Sequence, residues 1–168
     1  MEKEKVCCIV GHQPTNLKFG YSEKDDRCIR LKESLETEIK KLILDGVSHF
    51  MCPMNIGAEM YAAEIIERLQ DEGASVTITA VLPFETQASD WSESDRDRFF
   101  EVIRRCSKET RTSSGYDDAC IAKNIDFMVS ASDYLIAVWN GMPGNIEYAV
   151  CRAKQKNIPI IEINPDLV

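Results

Sequence analysis

Residues 131–153 read ASDYLIAVWNGMPGNIEYAVCRA and combine an apolar run, a glycine-containing loop and a helical pattern. The apolar run at 134–139 is short and has a polar boundary at each end, which is typical of a strand buried on both faces of a parallel sheet. The loop covers 140–145. Beyond it, apolar residues recur at the spacing of a helix that begins at Gly144 or Asn145. They are Ile146, Ala149, Val150 and Ala153.

A strand, a glycine turn and a helix N-terminus form an arrangement that suits an anion, above all phosphate. The first N–H groups of a helix have no partner within it, and the helix dipole favours negative charge there. Glycine also lets backbone amides approach a ligand closely. We therefore expect Gly141, Gly144 and Asn145 to hold phosphate. The alternative, a tight turn with a helix cap, stays open at this point.

The same alternation of strands and helices continues through the rest of the chain. Strands are predicted at 6–10, 47–53, 75–82, 108–112, 134–139 and 158–163. Helices are predicted at about 27–45, 58–71, 95–106 and 119–131, and from 144 or 145 onward. Strands that alternate with helices predict an α/β fold, with a doubly wound, mostly or wholly parallel sheet and helices on both faces. We expect one domain over residues 1–168, with Ile29, Phe99, Phe100, Val102 and Ile103 among the buried helix residues.

Ligands of such sheets bind beyond the carboxyl ends of the strands, near the point where the strand order reverses. Three glycine-containing loops follow strands and should meet there, at 11–14, 53–59 and 140–145. This places further candidate ligand-binding residues in one cleft; they are Gly11, His12, Asn55, Gly57, Glu59, Asn124 and Asn140.

Several of these candidates have an equally ordinary structural interpretation. Glu59 could bond a ribose hydroxyl or a base, or only stabilise the helix dipole. His12 could bond phosphate or act as an acid–base group, or be a loop histidine satisfied by backbone. Gly57 could permit a close approach of ligand or only set the geometry of a helix start. The polar contact that retains Asn124 on a helix could be with ligand or with a loop.

Composition limits the partners and the compartment. The net charge of −8 argues against an extended nucleic-acid surface. The seven cysteines include no C-x-x-C pair and are typical of small buried side chains in a reducing cytoplasm.

His12 and His49 lack a metal-ligand spacing, so no metal is predicted, and no cofactor is predicted either. The first residues, MEKEKV, do not resemble a signal peptide, and no apolar run approaches membrane-spanning length, so we expect a cytoplasmic protein without a membrane partner. The sequence leaves open whether the chain forms a homo-oligomer.

Three segments together resemble the YpsA-like branch of the SMF/DprA–LOG (SLOG) superfamily. They are GHQP with Leu17, Gly20 and Tyr21, at 11–21; NIGAEMYAAE, at 55–64; and KNIDFMV leading through Ser132 and Asp133 to IAVW, at 123–139. The chain departs from the branch's usual residues at four positions. It has Gln13 for Arg, Asn55 for Gly, Lys123 for Arg, and Asn145 for Ser or Thr.

The resemblance implies a three-layer Rossmann-like fold that binds nucleotides or nucleotide-derived small molecules. Some SLOG relatives, the Lonely Guy enzymes, split a base from a nucleotide and carry a PGG-x-GT-x-x-E motif with a catalytic Glu. When that motif is laid on Gly144, its Glu falls on Tyr148, and Glu147 is one residue out of register. That shift turns the carboxylate by about 100° around a helix.

The hypothesis favoured by the sequence is therefore a binding protein for a nucleotide-derived small molecule. The alternative is an N-glycosidic hydrolase or a deoxyribosyltransferase-like enzyme, with Glu147 or Glu59 as its carboxylate. A nucleic-acid partner is disfavoured by the net charge of −8.

Overall fold

The computed structural model describes residues 3–168 and contains a six-stranded parallel sheet in the order β4-β3-β2-β1-β5-β6. The strands are β1 (Lys5–Gly11), β2 (Val47–Cys52), β3 (Thr77–Leu82), β4 (Lys108–Arg111), β5 (Tyr134–Val138) and β6 (Ile160–Ile163). The helices are α1 (Asp26–Leu44), α2 (Ala58–Asp71), α3 (Glu93–Arg104), α4 (Cys120–Ser130) and α5 (Asn145–Lys156), with a short 3-10 helix at Pro14–Asn16. The predicted α/β fold, with a wholly parallel sheet, is confirmed.

The two faces of the sheet bury alternate residues of each strand, as the two-residue period of a strand requires. In β1, Cys7 and Ile9 pack in the core that α1, α2 and α3 cover. Cys8 and Val10 pack on the opposite face, with residues of α4 and α5. The apolar run of 6–10 is therefore continuous because both faces of β1 are buried, and the predicted helices on both faces are confirmed.

The strand order places the reversal between β1 and β5. The chain builds β1, β2, β3 and β4 outward in one direction and then returns to place β5 on the other side of β1. The connections that leave β1 and β5 therefore run to opposite faces of the sheet, which opens a crevice between their carboxyl ends. Gly11 and Val138, the last residues of the two strands, are register partners at this point.

Two buried-residue predictions are wrong. Phe100 is 62% exposed, because consecutive residues point about 100° apart on a helix and Phe99 is the one that faces the sheet. Ile29 is 43% exposed, and Cys28 takes its place in the buried stripe of α1. Phe99 and Val102 are buried as predicted.

Candidate functional site

A cleft of about 470 Å³ lies at the carboxyl ends of the central strands, beside the reversal of strand order. All three loops that the sequence singled out contribute to it, through Gly11–Gln13, Pro53 with Asn55, and Met142–Asn145. Two further segments complete the wall: the β3–α3 loop and the first turns of α4. The loops thus meet beyond the carboxyl ends of the strands, where ligands of parallel sheets bind. The cleft wall also includes residues outside the three glycine-containing loops.

The N-terminus of α5 opens onto the cleft. Gly144 is its N-cap residue, has φ +144° and provides no side chain to bond the free N–H groups of the first turn. The first backbone bond of the helix runs from Tyr148 N–H to the Gly144 carbonyl, at 3.1 Å. A Cβ on Gly141 or Gly144 would meet no atom within 4 Å beyond the adjacent residues of the chain, so neither glycine is packed against another part of the protein. The free N–H groups and the open approach are the features of an anion site.

A polar network fixes the turn that precedes α5. The side-chain oxygen of Asn140 accepts a hydrogen bond from Met142 N–H at 3.1 Å, and its amide nitrogen donates to Asp166 at 3.2 Å. His12 Nε2 lies 3.0 Å from that oxygen and 3.2 Å from the backbone nitrogen of Asn140. His12 is 3% exposed and lines the cleft, so the network holds its imidazole at the site. Asn140 itself shapes the turn and does not line the cleft.

The turn between β2 and α2 has the same pattern as the turn before α5 but is packed tightly. A Cβ on Gly57 would lie 2.6 Å from the His12 carbonyl oxygen and 3.0 Å from Gln13 Cα, and φ at this glycine is +100°. Ala58, the first residue of α2, donates its N–H to the same carbonyl at 3.0 Å. Gly57 is therefore explained by packing: the lack of a side chain allows the loops after β1 and β2 to contact each other. Gly57 does not line the cleft.

Glu59 lies between these two loops. One carboxylate oxygen accepts a hydrogen bond from Gly11 N–H at 3.2 Å, and the other accepts from Asn55 N–H at 3.1 Å. Burial raises the pKa of this carboxyl to about 7, although the two N–H donors act in the opposite direction. Glu59 therefore joins the loops that follow β1 and β2 and also forms part of the cleft wall.

The far end of the cleft carries two oriented amides and two aromatic rings. Asn124 is 2% exposed and donates through its amide nitrogen to the Val81 carbonyl at 2.9 Å and to Thr112 Oγ1 at 3.1 Å. Gln87 donates to the Pro53 carbonyl at 2.9 Å. The wall here also includes Phe84 and Trp91.

Seven of the ten predicted ligand-binding residues line the cleft: Gly11, His12, Asn55, Glu59, Asn124, Gly144 and Asn145. Gly57, Asn140 and Gly141 lie in the loops that form it but do not line it. Among the weak catalytic candidates, Glu147 is exposed and also lies outside the lining. Tyr148, at the position of the Lonely Guy glutamate, donates its hydroxyl to Asp126 on α4 at 2.8 Å.

Phe84, Gln87 and Trp91 line the cleft and were not predicted from the sequence. They belong to the loop after β3, and the rule that places ligands beyond strand ends applies to this loop as well. The segment 83–91 contains no glycine, so it lacks the pattern of a phosphate-binding turn.

The charges of the lining distinguish this cleft from a polyanion groove. His12 and Glu59 are its ionisable side chains, and no Lys or Arg among residues 3–168 lines it. Within the same residues, no group of three or more His, Cys, Asp or Glu side chains is placed to hold a metal ion. A helix long and apolar enough to span a membrane is also absent from this part of the chain.

The sequence matches a family model named YpsA and described as the YspA SLOG family, over residues 7–166. The chain belongs to this family. UPF0398 proteins of Bacillus velezensis and Bacillus licheniformis are similar over 96% of the chain and 92% of their own length, at 24% and 26% identity. The predicted family membership is thus confirmed.

Solved structures of DNA processing protein A share the fold. The Helicobacter pylori protein, solved in a study of its single-stranded DNA binding mode, has a TM-score of 0.64 at 10% identity over 95% of this chain and 65% of its own. DNA processing protein A from Streptococcus pneumoniae has a TM-score of 0.65 at 11% identity over 96% of this chain and 50% of its own. This chain thus spans about two thirds and one half of those chains, and the likeness concerns the fold.

Proposed function

We propose that this protein binds a nucleotide or a nucleotide-derived small molecule in the cleft, with a phosphate at the N-terminus of α5. The observation that carries the proposal is the uncapped first turn of α5 behind the open residue Gly144, inside a cleft at the strand-order reversal. Backbone N–H groups and the helix dipole supply the positive potential that a phosphate needs without a Lys or Arg side chain.

The remaining parts of the cleft support a ligand larger than phosphate. His12 lies beside the turn before α5, and its imidazole forms part of the cleft wall. Beyond His12 and Glu59, the aromatic and amide side chains of the β3–α3 loop form a wall suited to a flat, polar ring. A volume of about 470 Å³ lies within the usual range for small-molecule sites.

The proposal is tested by calorimetry with a panel of nucleoside mono- and diphosphates, NAD and ADP-ribose, with ribose 5-phosphate as the smallest probe. Asn145→Asp places a carboxylate in the first turn of α5, where it competes with phosphate for the same N–H groups. We expect it to weaken binding by about tenfold or more. Asn157→Asp, the same change at the exposed C-cap of α5, is the matched control and should leave affinity unaltered. Absence of binding across the panel would refute the proposal.

The panel should also include a single-stranded oligonucleotide, because a DNA processing protein of the same fold is described with a single-stranded DNA binding mode. The cleft of this chain has no Lys or Arg along its described lining, and proteins that bind DNA strands rely on such cations. We expect mononucleotides to bind and the oligonucleotide to bind more weakly. Stronger binding of the oligonucleotide would favour a nucleic-acid function.

A second candidate function is cleavage or transfer at an N-glycosidic bond, and Glu59 is the residue that favours it. Its carboxyl lies in the cleft wall with a pKa of about 7, within the range of a general acid or base at neutral pH. Incubation with nucleoside monophosphates, followed by chromatography of the free base, tests this activity. Base release that is lost in Glu59→Gln and kept in Glu147→Gln would establish an enzyme with Glu59 as its acid–base group.

A further inference from the structure

Two amide side chains of the cleft wall keep an oxygen that the hydrogen bonds of their nitrogen leave unused. The Pro53 carbonyl can only accept, so the end of the Gln87 amide that lies 2.9 Å from it is the nitrogen, and the other end is the oxygen. That oxygen, Oε1, is buried and has no hydrogen-bond partner within residues 3–168. Gln87 is only 9% exposed and lines the cleft. An unpaired buried acceptor is unfavourable in the free protein and gains a partner if a ligand brings an N–H group to it.

Asn124, on α4, also lines the cleft and repeats this orientation. Its amide nitrogen donates to the Val81 carbonyl at 2.9 Å and to Thr112 Oγ1 at 3.1 Å, so both of its hydrogens have acceptors. The polar atom that these two bonds leave unused is again an oxygen. Because the described lining holds no Lys or Arg, the protein supplies no cation to these acceptors, and a ligand has to bring the donors.

Aromatic and aliphatic side chains surround the two amides. Phe84 and Trp91 lie on the β3–α3 loop, and Ile121 and Ile125 lie on α4. The Phe84 ring is supported by an edge contact with Tyr116 at 5.5 Å, and the Trp91 ring by one with Phe99 at 5.3 Å. Apolar walls around a few oriented acceptors suit a flat heterocycle that carries an amino group.

The phosphate end and the Gln87 amide lie on either side of β1. Gln87 donates to the Pro53 carbonyl, directly after β2, and the sheet order there is β2-β1-β5. Two strand spacings, or about 10 Å, therefore separate this point from the end of β5. A ligand with its phosphate at the N-terminus of α5 would reach Gln87 by crossing the end of β1.

We propose that the β3–α3 end of the cleft selects a nucleobase with an exocyclic amino group, such as adenine or cytosine, through Gln87 Oε1 and Asn124 Oδ1. This inference rests on the proposed function. A keto base such as hypoxanthine or uracil presents an oxygen where the amino group would be, and that oxygen faces acceptors instead of donors. Gln87 is here a specificity-determining residue.

The test compares AMP with IMP, and CMP with UMP, by calorimetry, with ribose 5-phosphate as the probe that lacks a base. We expect the wild-type protein to bind each amino nucleotide at least about tenfold more tightly than its keto partner. In Gln87→Met this preference should fall to within about twofold, while the affinity for ribose 5-phosphate stays unaltered. The comparison in the wild-type protein decides the proposal even if the variant does not fold.

Gln70→Met is the matched control. Gln70 also donates its amide to a backbone carbonyl, that of Val76 at 2.8 Å, but it lies about 16 Å along α2 from Glu59. It should keep the preference of the wild-type protein. Binding of ribose 5-phosphate with equal affinities for AMP and IMP would overturn this inference and leave the proposed function standing. A preference that persists in Gln87→Met would overturn the role of Gln87, and absence of binding by every phosphate would overturn both proposals.

Discussion

The turns that precede α2 and α5 share one sequence pattern and have different environments. Each follows a strand, each has glycine as the N-cap residue, and neither cap has a side chain that bonds the helix. At α2 the glycine is pressed against the backbone of residues 12–13, and the N–H of Ala58 is bonded to His12. At α5 the glycine faces open space. A glycine turn before a helix therefore indicates a ligand site only where the surrounding loops leave its first turn free.

The largest expected effect separates the two glycines. Gly57→Ala would place a methyl group 2.6 Å from a backbone oxygen that cannot move aside, at a φ of +100°. We expect a loss of about 3 kcal/mol or more in the free energy of unfolding. Gly144→Ala meets no atom within 4 Å and should lose about 1 kcal/mol through backbone strain. Urea denaturation measures both values, and equal losses would contradict the comparison.

The next effect concerns the carboxyl that joins the loops after β1 and β2. Glu59→Met would leave the N–H groups of Gly11 and Asn55 without their acceptor. We expect a loss of about 2 kcal/mol in unfolding free energy, because both buried N–H groups lose their partner. Glu147→Met, in the first turn of α5, removes an exposed carboxyl and should alter stability by less than about 0.5 kcal/mol. Similar losses at the two positions would show that Glu59 does not join the loops.

A second buried carboxyl on α2, that of Glu67, lacks the backbone N–H donors that bond Glu59, and so shows how a buried carboxyl behaves without them. Glu67 is 4% exposed and its Oε1 has no hydrogen-bond partner within residues 3–168, while Arg105 approaches Oε2 only to 3.7 Å. Burial raises the pKa of Glu67 from 4.5 to about 7, so between these two pH values the folded state holds a proton that the unfolded state has lost. The unfolding free energy of the wild-type protein should therefore fall as the pH rises through this range.

Glu67→Gln removes this titration. Relative to the wild-type protein, the variant should gain about 1 kcal/mol in unfolding free energy on going from pH 5 to pH 8. Denaturation curves at several pH values measure the difference. Glu72→Gln, an exposed change at the end of the same helix, should follow the pH dependence of the wild-type protein. A variant of Glu67 that also follows it would place the pH-dependent group elsewhere.

The smallest expected effect is on the stability of the ligand-free protein and arises at the N-terminus of α5. Asn145→Asp adds a negative charge to a first turn whose N–H groups lack a side-chain cap, and it should stabilise the ligand-free protein by about 0.5 kcal/mol at low salt. The gain should shrink as the salt concentration rises. Thermal unfolding at two ionic strengths measures it. A destabilised variant would mean that the first turn of α5 is not free.

Local patterns along the chain determined the architecture. Apolar runs of strand length and helical stripes follow from nearest-neighbour spacing alone, so the alternation, the parallel sheet and the family motifs could all be predicted. Ile29 and Phe100 were predicted to be buried and are exposed. Sequence spacing could not place them, because the rotation of a helix about its axis depends on what the helix packs against.

Contacts between distant parts of the chain decided the site. The hydrogen bond from Gly11 to Glu59 joins residues 48 positions apart, and the bond from Gln87 to Pro53 joins residues 34 apart. The sequence alone determined that two glycine turns precede helices at the edge of a parallel sheet. Only the tertiary structure decided that Gly57 is enclosed, that Gly144 is open and that Gln87 has an unpaired oxygen, because each depends on backbone that folding brings from elsewhere.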